Sequence, residues 1–316
     1  MSYFPTSFPA LGIDIGGTKL AAGVVDREGQ VVSYLREPTP ITMDAEEIFD
    51  AVLKLSKAAL AQSGIIAERV GIGCGGPSRF NEGIVSPLHI PAWRNFPLKA
   101  KIEAALGLKV IVDNDSKALA LGEAVFGAGR GSRCMLGMVV STGVGGGIVV
   151  DGKLFHGISG NAGHIGHVIV ARNGPRCDCG AVGCLTCYAS GTGLAERAHI
   201  ALKRGVATSL SSLPLDEITA RAIVAAALEG DSLSLRLMRD ASHALARAIA
   251  STAALFELDR VVIGGGVAQS GELLFGPLRQ ELKRRATLSF TRDLPVLPAA
   301  LGPESGVIGA AALAQG

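Results

Sequence analysis

Residues 11–26 read LGIDIGGTKLAAGVVD, two apolar runs joined by a short glycine-rich turn. Apolar runs that flank a glycine turn are typical of a β-hairpin. Asp14 ends the first run, and the turn after it carries Thr18 and Lys19. Because glycine lets backbone amides approach a phosphate closely, we expect this turn to hold phosphate groups beside the Asp14 carboxylate. The alternative is a tight hairpin without a ligand.

A second stretch repeats this pattern. Residues 135–150, MLGMVVSTGVGGGIVV, again place two apolar runs around a glycine-rich turn. Thr142 and Gly143 in that turn are the candidates for a second phosphate contact. Two such hairpins in one chain predict two related sheets with a nucleotide between them.

Two further apolar runs end in glycine-rich or polar residues. Residues 70–77 read VGIGCGGP and residues 109–115 read KVIVDND, and both predict a buried strand that runs into a loop. Ligands in open α/β sheets gather at the carboxyl ends of the strands, so we expect Asn114 and Asp115 to face the reaction site. A helix over residues 116–126 follows, and Asp115 as a plain cap of that helix is the alternative.

The rest of the chain predicts helices and one more strand. Residues 44–63 have apolar positions at helical spacing, and residues 217–258 form a helical stretch with a break at Gly230. Residues 260–267 predict a buried strand that ends in three glycines, on which a base or ribose has room to lie. The last helix, residues 303–315, is expected to pack against the first domain.

A histidine and three cysteines in one short stretch have the spacing of a zinc site. Zn²⁺ takes four tetrahedral nitrogen or sulfur ligands, and closely spaced thiolates supply several of them from one loop. Gly180 and Gly183 are expected to let that loop turn back. Cys187 is a rival ligand, and inert buried cysteines beside a surface histidine are the alternative to a metal. The expected ligands are His167, Cys177, Cys179 and Cys184.

Composition and charge narrow the class of protein. The 316 residues suggest about two domains, and 30 Lys+Arg against 28 Asp+Glu leave a net charge of +2, which favours neither a nucleic-acid partner nor a membrane surface. No apolar run reaches the roughly 20 residues of a membrane helix. The first residues lack a secretory-signal pattern, and six cysteines with ligand-like spacing fit a reducing compartment better than a disulfide framework. We therefore expect a cytoplasmic protein.

Six motifs in a fixed order carry a family resemblance: DIGGTK, VDNDSKALALGEA, STGVGGGIVVDGKL, GHIGH, CDCGAVGC and VVIGGGV. Along nearly the whole chain they resemble the ROK family of sugar kinases, bacterial glucokinases and their relatives. The resemblance implies an α/β, two-lobed actin/hexokinase-type ATPase fold with a zinc-binding loop, and ATP and sugar in the cleft. It implies a small lobe of residues 1–115 plus 303–316, and a large lobe of residues 116–302 with the zinc loop and a dimerisation surface.

The resemblance also implies an activity and a set of site residues. The activity is ATP-dependent phosphorylation of the primary (6-) hydroxyl of a hexose or modified hexose, with Asp115 as the general base. The cofactors are ATP, Mg²⁺ and a structural Zn²⁺ on the four ligands above. The residues implied for ATP and its metal are Asp14, Gly16, Gly17, Thr18, Lys19, Thr142, Gly143, Gly265 and Gly266. Those implied for the substrate are Gly76, Asn114, Asp115, His164, His167 and Thr186.

Three positions depart from the family pattern. Sugar kinases of this family read ExGH where this chain reads HIGH, and CLE where it reads CLT, so His164 and Thr186 replace two sugar-binding glutamates. His89 stands where the family has an asparagine. An ionised glutamate only accepts hydrogen bonds from sugar hydroxyls, whereas a neutral histidine also donates. These replacements predict a changed substrate, an amino sugar such as kanosamine or a cyclitol; drift within a glucokinase is the alternative.

Two non-enzymatic functions compete with this interpretation. The family also resembles sugar-responsive DNA-binding repressors, but only about ten residues precede the first strand and the net charge offers no basic surface, so we expect no nucleic-acid partner. A sugar-binding pseudokinase is the other, although Asp14, Thr18 and Asp115 are all retained. The expected partners are a small-molecule sugar and further copies of the chain, in a homodimer or homotetramer.

Overall fold

Strands and helices follow the apolar runs of the sequence in a computed structural model that describes residues 8–315. The strands in chain order are β1 Ala10–Ile15, β2 Lys19–Val25, β3 Leu35–Pro38, β4 Arg69–Cys74, β5 Ser78–Arg79, β6 Ile84–Val85, β7 Lys109–Asn114, β8 Cys134–Val140, β9 Val144–Val150, β10 Lys153–Leu154, β11 Arg260–Gly264 and β12 Val296–Pro298. The helices are α1 Ala45–Ser63, α2 Leu98–Leu106, α3 Asp115–Phe126, α4 Thr186–Ala189, α5 Gly191–Lys203, α6 Ala220–Leu228, α7 Ser232–Phe256, α8 Glu272–Arg285 and α9 Ser305–Gln315.

The first five-stranded sheet has the strand order β3-β2-β1-β4-β7. β1 and β2 form the antiparallel hairpin that the sequence predicts, and β4 and β7 continue the sheet in parallel. The side chains of β1, β2 and β4 are almost all buried, because one face of the sheet packs on α1 and the other on α9. α1 begins at its N-cap Asp44 and ends at Gly64, which takes the left-handed conformation with φ 64°.

The second five-stranded sheet has the order β10-β9-β8-β11-β12. Each sheet therefore has a hairpin at the same place in its strand order, and the prediction of two related sheets is confirmed. The helical stretch predicted over residues 217–258 is also confirmed, as α6 and α7. It breaks at Gly230, whose φ of 90° suits glycine alone. No helix within residues 8–315 has the length and apolarity needed to cross a membrane.

The chain divides into two compact units. Among the described residues, unit 1 runs through Gly137, continues with Gly147–Gly163 and resumes at Ala299, while unit 2 comprises Met138–Gly146 and His164–Pro298. Unit 1 thus includes α3, since α3 packs against α9 so closely that a Cβ at Gly309 would collide with the α3 backbone. The lobe boundaries implied by the resemblance differ from this division and stay a prediction.

Candidate functional site

Three parallel strands of unit 1 end together at one edge of the first sheet. Ile15 pairs with Cys74, and Cys74 pairs with Asn114, so the last residues of β1, β4 and β7 are in register. Glycine-rich or polar residues follow each of them directly: the first turn after β1, the loop through Gly76 after β4, and Asp115 after β7. Parallel register therefore brings the three polar segments to the same sheet edge, where α/β folds bind ligands.

The turn after β1 is held by its own backbone. The Gly16 amide donates to the Lys19 carbonyl at 2.9 Å, and the Thr39 hydroxyl donates to the Gly16 carbonyl at 2.7 Å. The Thr39 amide also donates to the Thr18 carbonyl. At Gly17 a Cβ would collide with the side chain of His89, so the turn approaches that histidine as closely as glycine allows.

Asp14 lies at the start of this turn with its carboxylate 19% exposed. Lys19 Nζ is 3.7 Å from Asp14 Oδ2, and Gly306 in the first turn of α9 is so near that a Cβ there would meet the same carboxylate. Burial raises the pKa of Asp14 to about 6, against the opposing effect of Lys19, and the negative charge of Asp115 raises it further. Asp14 and Asp115 therefore act on each other electrostatically.

Asp115 is the first residue of α3 and its carboxyl group is largely buried. Its Oδ1 accepts from the Ser116 amide at 2.7 Å and from the Ser116 hydroxyl at 3.3 Å. Burial raises the pKa of Asp115, and these hydrogen bonds offset part of the rise. Asn114 is the N-cap of α3 and accepts from the same amide at 3.0 Å, so the helix has a cap without Asp115. Gly76 lies beside the Asn114 side-chain amide.

Unit 2 contains the second glycine-rich turn. The Thr142 carbonyl accepts from the Thr192 hydroxyl at 2.8 Å, and the Gly191 amide donates to the Ser141 carbonyl at 2.7 Å. These bonds tie the turn, with Gly143 at its centre, to the first residues of α5.

Gly265 and Gly266 follow β11 beside this turn. Gly265 has a φ of 98°, and a Cβ there would collide with the Val140 carbonyl. A Cβ at Gly266 would lie 3.7 Å from the Ser141 hydroxyl. The candidate nucleotide-binding residues of unit 2 are thus neighbours.

The four predicted metal ligands of unit 2 converge. Their ligand atoms all lie within 4.8 Å of one another, with Cys177 Sγ 3.8 Å from His167 Nδ1 and Cys179 Sγ 3.6 Å from Cys184 Sγ. A tetrahedral Zn²⁺ with bonds of about 2.3 Å to sulfur would separate its ligand atoms by about 3.5–3.8 Å. The residues therefore fit a zinc ion. The Cys187 thiol instead donates to the Arg176 carbonyl.

Two glycines shape this loop as the sequence predicts. Gly180 has a φ of 90°, and its amide donates to the Cys177 carbonyl at 2.8 Å. Gly183 has a φ of 81° and packs against the Ala171 carbonyl so closely that a Cβ would collide with it. Both positions require glycine, because an L side chain rarely adopts these conformations.

The candidate substrate residues His164 and Thr186 lie next to the candidate metal ligands along the chain. The His164 ring centroid is 6.3 Å from that of the candidate ligand His167, and Thr186 begins α4 two residues after Cys184. The predicted substrate residues thus form two groups, each within its own unit: Gly76, Asn114 and Asp115 in unit 1, and His164, His167 and Thr186 in unit 2.

Sequence reasoning missed one feature next to Asp115. The carboxylate of Asp113 and the ammonium of Lys117 are both buried, 3.3 Å apart, and His156 reaches the same carboxylate from another loop. A lysine among the apolar residues of α3, four positions after an aspartate, was the signal in the sequence.

Comparisons with known proteins agree with this architecture over almost the whole chain. A profile of the ROK family matches residues 10–316. A glucokinase from Streptomyces coelicolor is 37% identical over 311 residues, 96% of this chain and 97% of the relative. An N-acetylmannosamine kinase from Citrobacter koseri is 35% identical over 309 residues, 97% of this chain and 98% of the relative.

A solved structure extends the comparison to three dimensions. The crystal structure of a ROK family glucokinase from Streptomyces griseus, in complex with glucose and AMPPNP, is 38% identical, covers 97% of this chain and 99% of that chain, and matches with a TM-score of 0.80. The α/β hexokinase-type fold expected from the motifs is thereby confirmed. The chain belongs to the ROK family of sugar kinases.

Proposed function

We propose that this ATP-dependent sugar kinase phosphorylates the primary (6-) hydroxyl of a hexose or modified hexose, with Asp115 as the general base. The observation that carries the proposal is the position of Asp115, at the same sheet edge as Asn114 and the Asp14 turn. Phosphoryl transfer needs in-line placement and charge neutralisation more than covalent chemistry, so one carboxylate that orients and deprotonates a hydroxyl suffices.

In this mechanism the sugar oxygen forms a bond to the γ-phosphorus while the bond from that phosphorus to the bridging oxygen of ADP breaks. Asp115 accepts the hydroxyl proton, and Asn114 holds the sugar. Asp14 would hold Mg²⁺, because a carboxylate is a hard oxygen ligand, and the turn around Gly17 and Thr18 would approach the phosphates closely. Mg²⁺, when bound, neutralises phosphate charge.

In this proposal the second glycine-rich turn and the glycines after β11 also bind the nucleotide. Thr142 and Gly143 contact phosphate, and Gly265 and Gly266 lie against adenosine. The open space at Gly266 supports this assignment, since a Cβ there would meet only the Ser141 hydroxyl at 3.7 Å and a ring has room to lie on the backbone.

We further assign a structural Zn²⁺ to His167, Cys177, Cys179 and Cys184. The chemistry of the donors and the spacing of their ligand atoms support zinc over a hard cation such as Mg²⁺. All four positions are filled by protein side chains, which leaves no open position for a reacting water. The metal therefore stabilises the loop between His164 and Thr186.

The second part of the proposal concerns which sugar is the substrate. The family resemblance implies glutamates at the positions of His164 and Thr186, and their replacement favours an amino sugar such as kanosamine, or a cyclitol, over glucose. A site that pairs each substrate hydroxyl discriminates strongly, because a wrong sugar leaves buried polar groups unpaired.

A panel of sugars tests this choice. ATP-dependent phosphorylation of glucose, N-acetylmannosamine, kanosamine and a cyclitol is measured, and we expect the highest kcat/KM for kanosamine or the cyclitol. Highest kcat/KM for glucose would identify the replacements as drift. Absence of nucleotide-dependent product with every sugar would favour a pseudokinase.

The role of Asp115 has its own test. Asp115→Asn keeps the shape of the side chain and removes its basicity, so we expect kcat to fall at least about 100-fold while the sugar still binds. Calorimetric titration of the sugar checks binding. Asp50→Asn, on the exposed side of α1, is the matched control and is expected to keep wild-type turnover. Full activity of Asp115→Asn would remove the residue from the mechanism.

Location and assembly complete the proposal. Thiolate zinc ligands and the use of ATP support a cytoplasmic location. A homodimer or homotetramer, implied by the resemblance, stays a prediction.

A further inference from the structure

Two polar side chains, those of Lys117 and His156, lie against the carboxylate of Asp113, the residue two positions before Asp115. The Asp113 carboxylate is completely buried; Lys117 Nζ lies 3.3 Å from its Oδ1, and His156 Nδ1 lies 3.1 Å from its Oδ2. The His156 contact is one of proximity, since the two atoms are not aligned for a hydrogen bond. Apolar residues of similar shape would fill such a space without the cost of removing charges from water. Stability alone is therefore a poor reason for the cluster.

The same side chains fasten a loop of unit 1. Lys117 Nζ donates to the Gly160 carbonyl, so one ammonium connects α3 to residues 155–160. The ring of His156 stacks on Phe80, with centroids 4.1 Å apart and planes 27° apart. Gly160 also packs on Phe80 so closely that a Cβ would collide with it. Three segments that are distant in sequence, around Phe80, Asp113 and His156, thus pack together.

Asp113 is connected to the candidate base through the backbone. The Asn114 amide donates to Asp113 Oδ1 at 2.7 Å, and Asp115 follows at once as the first residue of α3. Lys117 lies in the first turn of the same helix. The cluster therefore fixes the backbone on both sides of Asp115.

We propose that His156 and Lys117 are positioning residues for phosphoryl transfer: through Asp113 they hold the Asn114–Asp115 backbone in its reactive position, and through Phe80 and Gly160 they lock residues 155–160 to it. The inference rests on the proposed role of Asp115. Neither side chain contacts the substrate in this mechanism. We call the contacts among Asp113, Lys117 and His156 the clamp. A small displacement of a catalytic group lowers turnover by large factors, so loss of the clamp acts on kcat more than on binding.

Two substitutions of His156 separate the clamp from simple packing. His156→Phe keeps the stacked ring and removes the nitrogen, whereas His156→Asn places a side-chain amide near the position of Nδ1. We expect His156→Phe to lower kcat about tenfold or more, with the KM of ATP and of the sugar within about twofold of wild type. His156→Asn is expected to recover most of kcat. Wild-type kcat in His156→Phe would overturn the proposal, as would a kcat equally low in both variants.

Controls distinguish this inference from the proposed function. His199→Phe removes a histidine whose ring bonds the Leu215 carbonyl in unit 2, and we expect unchanged kinetics. Asp115→Asn is assayed in parallel. An inactive Asp115→Asn beside a wild-type His156→Phe overturns only the clamp; an active Asp115→Asn overturns the general base. Melting temperatures of all variants are compared, and a lower Tm of His156→Phe with unchanged kcat contradicts positioning.

A charge-neutral double variant tests Lys117 without leaving a buried ion unpaired. Lys117→Met alone leaves the buried Asp113 carboxylate without its ammonium partner, and we expect it to lower stability and kcat together. Lys117→Met combined with Asp113→Asn restores neutrality, so we expect Tm to recover while kcat stays at least about tenfold low. Recovery of kcat along with Tm would show that Lys117 only neutralises the charge of Asp113, and would overturn its positioning role.

Discussion

At the scale of the residue, the site combines two carboxylates that burial makes less acidic. Asp14 and Asp115 raise the energy of each other's charged form, and the Lys19 ammonium, 3.7 Å from Asp14 Oδ2, offsets part of this cost. Such arrangements are a feature of functional sites, where a reactive group is kept at the expense of stability. A cation that binds at Asp14 would relieve the same repulsion.

Asp14→Asn is predicted to stabilise the free protein at neutral pH. The pKa of Asp14 is about 6 in the folded chain against 3.8 as its ordinary value, so above pH 6 the folded state carries a charge that it disfavours. The variant removes this cost, a gain on the order of 2–3 kcal/mol in the free energy of unfolding. Because the folded carboxyl takes up its proton first, the gain shrinks as pH falls from about 6 and is gone below about 4.

Urea unfolding of wild type and Asp14→Asn at pH 7.5 and pH 4 measures this difference. Asp50→Asn, an exposed aspartate on α1, is expected to show little change at either pH. A lower stability of Asp14→Asn at pH 7.5 would mean that the Lys19 ion pair outweighs the burial of the carboxylate. The kinase activity of the variant is expected to be lost, since the proposed mechanism uses this charge to hold Mg²⁺.

At the scale of the element, the loop between His167 and Cys184 has little apolar packing of its own. Its buried side chains are mainly the cysteines, and its turns depend on glycines with positive φ. A loop of this kind gains its order from bonds to a metal, so we expect its shape to be coupled to the proposed zinc ion. The same loop carries the residues next to His164 and Thr186.

Cys184→Ser is predicted to lose zinc, and Cys187→Ser is the matched control. Both thiols are buried in the same short segment, but only Cys184 belongs to the group of converging ligand atoms. We expect about one zinc per chain in wild type and in Cys187→Ser, and little in Cys184→Ser, by atomic emission of the purified proteins. Zinc loss from Cys187→Ser with retention in Cys184→Ser would identify Cys187, and not Cys184, as the zinc ligand.

Elements whose patterns are local were predictable from the sequence. The amphipathic α1, the strand β7 that runs into α3, and both glycine hairpins agree with their predicted positions within about one or two residues. The helix α8, with Pro277 inside it, was not predicted, because tertiary packing overrides a residue that disfavours helices.

Side-chain contacts across long sequence separations were not predictable in the same way. The convergence of the four candidate zinc ligands was predictable, since a histidine and three cysteines within one loop are a local pattern. The contact of His156 with Asp113 joins residues 43 positions apart, as does the hydrogen bond of Lys117 to Gly160. Periodicity describes one element at a time, so it does not pair polar residues from two of them.

At the scale of the whole molecule, the end of the chain completes the unit that its beginning starts. α9 covers β1 and β4, although most of the sequence separates them. The completely buried Glu123 carboxylate accepts from the Ala300 and Leu301 amides at 2.9 and 3.0 Å, and thereby fixes the approach to α9. The core of unit 1 therefore depends on contacts between the two ends of the sequence, the long-range kind that is associated with slow folding.

Gly71→Ala is predicted to destabilise unit 1 through this contact. Gly71 lies in β4, and a Cβ there would collide with the Ala310 carbonyl of α9. Backbone cannot move aside as a flexible side chain does, so we expect a loss of about 3 kcal/mol in the free energy of unfolding, at the upper end of overpacking effects. Gly64→Ala is the control, since Gly64 has open space around it and costs only its left-handed φ, about 1 kcal/mol. Urea unfolding compares the two, and an equal loss in both would show that α9 yields to the strand and does not depend on glycine at the contact.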